Sequence, residues 1–139
     1  MRASILYRIS SVLILLFAVG HTLGFRQTDP SWGVDQTLAT LKQITFTVQG
    51  FHRNYYNFYV GSGLFVTVLL LFTAVLAWQL SRLTTATLAQ LPWITWGLAL
   101  AYAGSLVISL YYFFMAPLIF SALIFLCLAA AANIARKTQ

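Results

Sequence analysis

Four long apolar runs, each bounded by polar or aromatic segments, leave few folds open to this sequence. They cover about residues 5–25, 55–80, 93–113 and 115–134. Each supplies the roughly 20 residues that a helix rising 1.5 Å per residue needs to cross about 30 Å of hydrocarbon. Composition agrees: 60% of the 139 residues are hydrophobic and 7% charged, whereas about a quarter are charged in a soluble domain. With a mean hydropathy of +0.84, so much apolar surface cannot be hidden in a soluble core of this size. The expected fold is all-α, a single-domain integral membrane four-helix bundle over residues 1–139, with a long first loop at 26–54.

The first run resembles a signal peptide, with Arg2 and Arg8 ahead of an apolar stretch and Ala18-Val19-Gly20 as a cleavage-like site. The apolar character continues to Phe25, which favours a retained span. Aromatic belts mark span ends: Tyr55, Tyr56 and Tyr59 open the second span and Trp78 lies near its close. Trp93 and Trp96 open the third, and Tyr111 and Tyr112 close it. The short link through Met115-Ala116-Pro117 predicts a tight antiparallel hairpin of spans three and four, with Pro117 in the first turn of a helix.

Net charge is +6, from eight Lys/Arg and two Asp/Glu. The basic residues are scattered at span ends, without the clustered stripe of a nucleic-acid-binding surface, so no nucleic-acid partner is expected. They report topology instead. Arg2, Arg8, Arg82, Arg136 and Lys137 lie on one side of the expected spans, and Arg26, Lys42 and Arg53 on the other. The positive-inside rule then places both termini in the cytoplasm of a multi-pass protein of the cell (inner) membrane, with the first loop outside.

Small residues recur at helical spacing in Gly20-x-x-x-Gly24 and in Gly97, Ala101, Ser105 and Ser109. Such rows permit close helix approach, within the chain or between copies in a homo-oligomer, and intrachain packing is the expectation. The single cysteine, Cys127, lies in an apolar run and reads as a buried hydrophobe. One cysteine cannot form an intrachain disulfide, a redox pair or a zinc cluster, and no metal site or cofactor is expected.

The loop at 26–54 holds most of the polar chemistry. Thr28 to Gly33 is rich in turn formers, and Asp35 is placed to cap a helix. Leu38, Leu41, Ile44, Val48 and Phe51 then follow an amphipathic helical spacing, so a helix lying in the interface is expected. The alternation of Ile44, Phe46 and Val48 competes with it as a short strand. Gly61-Ser62-Gly63 lacks the residues of a phosphate loop and reads as close helix packing.

His21 falls about one turn inside the end of the first span, where an ionisable group faces the bundle interior or a cavity and is a functional candidate by default. It also has a plain reading, a hydrogen bond to neighbouring backbone. The candidate ligand-binding residues are His21, Asp29, Asp35, His52, Arg53, Tyr55, Tyr56 and Tyr112. Both carboxylates of the chain lie in this loop, so acid–base chemistry has no other carboxylate to use. Three functions are consistent with this set. The first is a site at the outer leaflet for a hydrophobic small molecule such as a lipid, quinone or isoprenoid, with apolar walls and few polar groups. The second is a structural or accessory subunit packed on a larger membrane partner. The third is haem held between His21 and His52.

Gly20-His21-Thr22-Leu23-Gly24-Phe25, together with Gly50-Phe51-His52-Arg53 and Tyr59-Val60-Gly61, resembles an uncharacterised family of small bacterial four-span membrane proteins. That likeness covers most of the chain and implies no activity. The architecture is also faintly similar to DoxX-like proteins and to emopamil-binding proteins, the latter through span count, a histidine near the end of span one and a long polar first loop. The emopamil-binding group uses membrane-embedded glutamates to bind or isomerise sterols. This sequence contains no glutamate.

Overall fold

The computed structural model describes residues 2–137 and contains six α-helices and a two-stranded hairpin. In order these are α1 (Ala3–Gly24), a 3₁₀ turn at Pro30–Trp32, α2 (Val34–Gln43), β1 (Thr45–Val48) and β2 (Phe51–Asn54). There follow α3 (Tyr55–Leu80), α4 (Thr85–Ala89), α5 (Pro92–Tyr112) and α6 (Met115–Arg136). The helices α1, α3, α5 and α6 are each long and apolar enough to cross a bilayer. Helical hydrogen bonding satisfies every interior backbone group of such a segment, as hydrocarbon demands. The protein is therefore a multi-pass membrane protein of the all-α four-helix bundle class.

Two compact units divide the chain, one formed by residues 2–18 with 70–137 and the other by residues 19–69. The first holds the core. In α1 the buried face is Ala3, Leu6, Tyr7, Ser10, Ile14 and Ala18, at three- and four-residue steps. In α3 it is Leu70, Ala74, Ala77 and Leu80, and in α6 Ser121, Ile124, Leu128, Ala131 and Ala135. Alanine recurs in each of these rows, where a methyl side chain lets helix backbones approach closely. Hydroxyl groups add cross-helix bonds: Ser11 Oγ donates to Ala74 O at 2.8 Å, and Thr73 Oγ1 and Tyr102 Oη lie 2.9 Å apart. Phe17 stacks on Phe120 with ring centres 5.4 Å apart. Tyr7 Oη and Ser121 Oγ are buried without a hydrogen-bond partner.

Beyond the four spans a short helix forms, and the small-residue rows pack differently from expectation. The segment after Arg82 forms a short helix, α4, because Thr84 Oγ1 caps it by accepting from Thr87 N at 3.2 Å. The small-residue rows do not make the intrachain contacts predicted for them. Gly97 and Ala101 are exposed, and the packed face of α5 is Thr95, Leu98, Ala99, Tyr102 and Ser109, so only Ser109 of that row is buried. In α1, Gly20 and Gly24 have open space where a Cβ would stand. Pro117 lies in the first turn of α6, as expected. Phe113 and Phe114 make the extended link from α5.

In the second unit no described residue is buried. The N-cap of α2 is Gly33, at φ 64°, with no side-chain cap, and Asp35 sits inside the first turn. There its charge complements the partial positive charge of the helix terminus, a different role from the cap expected. The amphipathic helix predicted through Phe51 stops at Gln43. Thr45, Thr47 and Val48 are β-branched and suit a strand. Gln49 (φ 51°) and Gly50 (φ 83°) form a two-residue turn with positive φ at both positions, the geometry that matches strand twist. The resulting register pairs Thr45 with Asn54, Phe46 with Arg53, Thr47 with His52 and Val48 with Phe51.

Candidate functional site

The junction between β2 and α3 organises the second unit. Asn54 N donates to Asn57 Oδ1 at 3.0 Å and Asn57 N donates to Asn54 Oδ1 at 2.8 Å, a reciprocal pair that caps the helix in the manner of a capping box. Tyr55 N reaches Ile44 O at 3.4 Å, and Asn54 Nδ2 donates to Lys42 O at 3.2 Å. Phe46 lies edge-on to Tyr55 and Phe58, with centres 5.3 and 5.4 Å away. The strand therefore runs into the helix without a flexible linker.

From this junction a hollow of about 550 Å³ extends along α3, lined by Arg53, Asn57, Phe58, Gly61, Ser62, Phe65 and Val66. Successive pairs four residues apart (57/58, 61/62, 65/66) share one helix face, and at 1.5 Å per residue they cover about 14 Å. Gly61 and Ser62 leave the space between Phe58 and Phe65. One end carries a guanidinium and an amide, and the other is wholly apolar. Arg53 Nη1 donates to His52 O at 2.7 Å, and its guanidinium lies 5.4 Å from the centre of the Phe51 ring.

His21 belongs to a separate cluster between the end of α1 and α3. Its Nε2 is 3.0 Å from Gly63 O. A carbonyl only accepts, so Nε2 is the donor. Thr67 Oγ1 donates to the same carbonyl at 3.2 Å, and Thr22 and Thr67 hydroxyls meet at 2.9 Å. The Phe25 ring stacks on His21 at 5.2 Å and covers Gly63, where any Cβ would overlap it. Close packing thus explains Gly63, as read from the sequence, whereas Gly61 borders open space. Tyr59 Oη donates to Phe25 O.

The remaining candidates are dispersed. His52 lies on the hairpin face opposite Arg53, with Nδ1 3.1 Å from Thr47 Oγ1. Asp29 Oδ1 accepts from Ser31 N at 2.8 Å within the turn after α1. Hydrogen bonding from Ser31, through its side chain first and its backbone second, holds the Asp29 carboxyl below the usual aspartate range. Asp29 borders a second, smaller hollow of about 400 Å³ with Gln27, Thr28 and Trp32. Asp35 is exposed on α2. Tyr55 packs on Phe46, while Tyr56 sits beneath Lys42 Nζ, 4.9 Å from its ring centre. Tyr112, in the other unit, is exposed.

Of the eight candidates, only Arg53 lines the α3 hollow. Among the described residues no three His, Cys, Asp or Glu side chains come together as a metal-binding group. The hollow's other lining residues, which the sequence reading did not single out as candidates, are Asn57, Phe58, Gly61, Ser62, Phe65 and Val66. Their signal was a polar pair, a small pair and an apolar pair along one helix face. Compared with known proteins, the chain matches no family model, no curated protein and no solved structure.

Proposed function

We propose that this protein holds one hydrophobic small molecule, a lipid, quinone or isoprenoid, in the hollow along α3. The observation that supports this is the polarity gradient of the hollow. Arg53 and Asn57 offer donors at one end, and Phe58, Phe65 and Val66 offer apolar contact along the rest. Ligand sites are generally apolar with a few placed polar groups, and an amphiphile fits that order. The role is binding rather than catalysis, since the lining contains no carboxylate or imidazole to move a proton. The site lies at the outer leaflet of the cell membrane, with both termini cytoplasmic, a reading that rests on the basic residues at the span ends. A reporter fused after Gln139 should be active in the cytoplasm; activity outside would invert the assignment.

Native mass spectrometry of the detergent-solubilised protein tests the ligand. A retained small-molecule mass is expected, lost on Gly61→Leu, which fills the hollow, and weakened on Arg53→Gln. A retained mass indifferent to both changes would place the ligand elsewhere. A second reading, an accessory subunit or homo-oligomer, is favoured by the open faces of Gly20, Gly24 and Gly97. Small residues of this kind admit a neighbouring helix. Chemical crosslinking in membranes that changes with Gly24→Leu would support it.

A further inference from the structure

We infer that the β1–β2 hairpin is a membrane-surface device that lays one face on anionic phospholipid. Side chains alternate across a strand, and the register sorts them by chemistry. Phe46, Val48, Phe51 and Arg53 share one face, while Thr45, Thr47, His52 and Asn54 share the other. Phe46 packs partly on α3, but Val48 and Phe51 are 58% and 61% exposed. In water, two large apolar side chains beside a turn would be an unpaid exposure of apolar area.

Chain geometry names what covers them. Asn54 is the last residue of β2 and Tyr55 the first of a membrane-spanning helix. Phe51 is three residues earlier, which at about 3.3 Å per strand residue is roughly 10 Å along the chain. The hairpin cannot leave the vicinity of the bilayer surface. Charge names the kind of lipid. Every basic residue of the segment between α1 and α3 lies over an aromatic ring: Arg26 over Phe25 at 5.3 Å, Lys42 over Tyr56 at 4.9 Å and Arg53 over Phe51 at 5.4 Å. An aromatic body beneath a cationic head suits the boundary between acyl chains and phosphates. Basic residues near a membrane surface favour anionic lipid. Phe51 and Val48 therefore enter the headgroup region, Arg53 and Lys42 meet phosphates, and the Thr47–His52 face stays in water.

Spin labels read this directly on the full chain in vesicles of phosphatidylcholine mixed with phosphatidylglycerol. In a Cys127→Ala background, Val48→Cys and Phe51→Cys carry labels on one face, and Thr45→Cys and Thr47→Cys on the other. Relaxation by oxygen relative to a water-soluble nickel chelate should be several-fold greater at 48 and 51 than at 45 and 47. Equal chelate access on both faces would overturn the proposal. So would labels at 48 and 51 shielded from both reagents, the signature of a protein partner. Spin-labelled phosphatidylglycerol should be retained around the protein more than phosphatidylcholine, with the excess reduced by Lys42→Gln or Arg53→Gln and by added salt. No excess over phosphatidylcholine would overturn the anionic preference. Gly61→Leu, which fills the α3 hollow, should leave the label pattern unchanged, so this outcome is separable from the ligand reading.

Discussion

The two compact units use the same apolar vocabulary to opposite ends. Residues 2–18 and 70–137 bury a continuous core of leucine, isoleucine and alanine, whereas residues 19–69 bury none of their described side chains. Helices α1 and α3 each pass through both units. Along α3, Phe65 is 67% exposed and Val68 62%; beyond the boundary one face is buried, with Ala74 and Ala77 at 5% and 0%, while Phe72 on the other face stays 63% exposed. The buried face of α3 in the first unit mixes small residues with large ones, Ala74 and Ala77 beside Leu70 and Leu80. Without a hydrophobic force between helices in hydrocarbon, packing contact becomes the discriminating term.

Core truncation gives the sharpest break between the units. Leu128→Ala, at a fully buried position, should cost about 2–5 kcal/mol of stability. Phe65→Ala should stay within about 0.5 kcal/mol, as for an exposed position. Reversible unfolding in mixed micelles measures both, and equal losses would erase the distinction. Within the second unit, Gly63→Ala should cost about 1–3 kcal/mol by overpacking, because its Cβ meets the Phe25 ring. Gly61→Ala should be silent. Chemical shifts of the His21 ring should move in the first variant alone.

Tyr7→Phe sharpens the account of the core. The Tyr7 hydroxyl is buried without a partner, so its removal relieves a desolvation cost and should be neutral or stabilising by about 1 kcal/mol. A clear loss would reveal a bonded hydroxyl. The smallest effect concerns Asp29. Its folded carboxyl gives up its proton more readily than the unfolded one. The turn at Ser31 is therefore fully favoured above the unfolded titration range and loosens as pH falls through the folded one. The side-chain carboxyl resonance should titrate below an ordinary aspartate, and Ser31→Ala should return it toward that value.

The spans were legible because uncharged runs of about 20 residues have one stable solution in a bilayer. Their packed faces were not. The bilayer accepts apolar groups on every side of a helix, so periodicity carried little information. The glycines at 20, 24 and 97 face open space, whereas the alanines at 74, 77, 131 and 135 are buried in the core. The hairpin was half legible. Its alternating Ile44, Phe46 and Val48 competed with a helical spacing, and the turn at Gln49-Gly50 decided between them. Of the expected candidates, Arg53 lines the hollow, and the other groups around it come from α3 rather than from the histidines and aspartates. Those polar residues had partners close in the chain or across the α1–α3 contact, and the partners drew them apart.

The joint at Asn54 and Asn57 has a mechanical consequence. Two reciprocal side-chain bonds, a backbone bond to Ile44 and the Phe46 wedge leave it no slack. The hairpin and the first turns of α3 are therefore one joined piece, and the lie of the sheet and the direction of the hollow at Arg53, Asn57 and Phe58 are set together there.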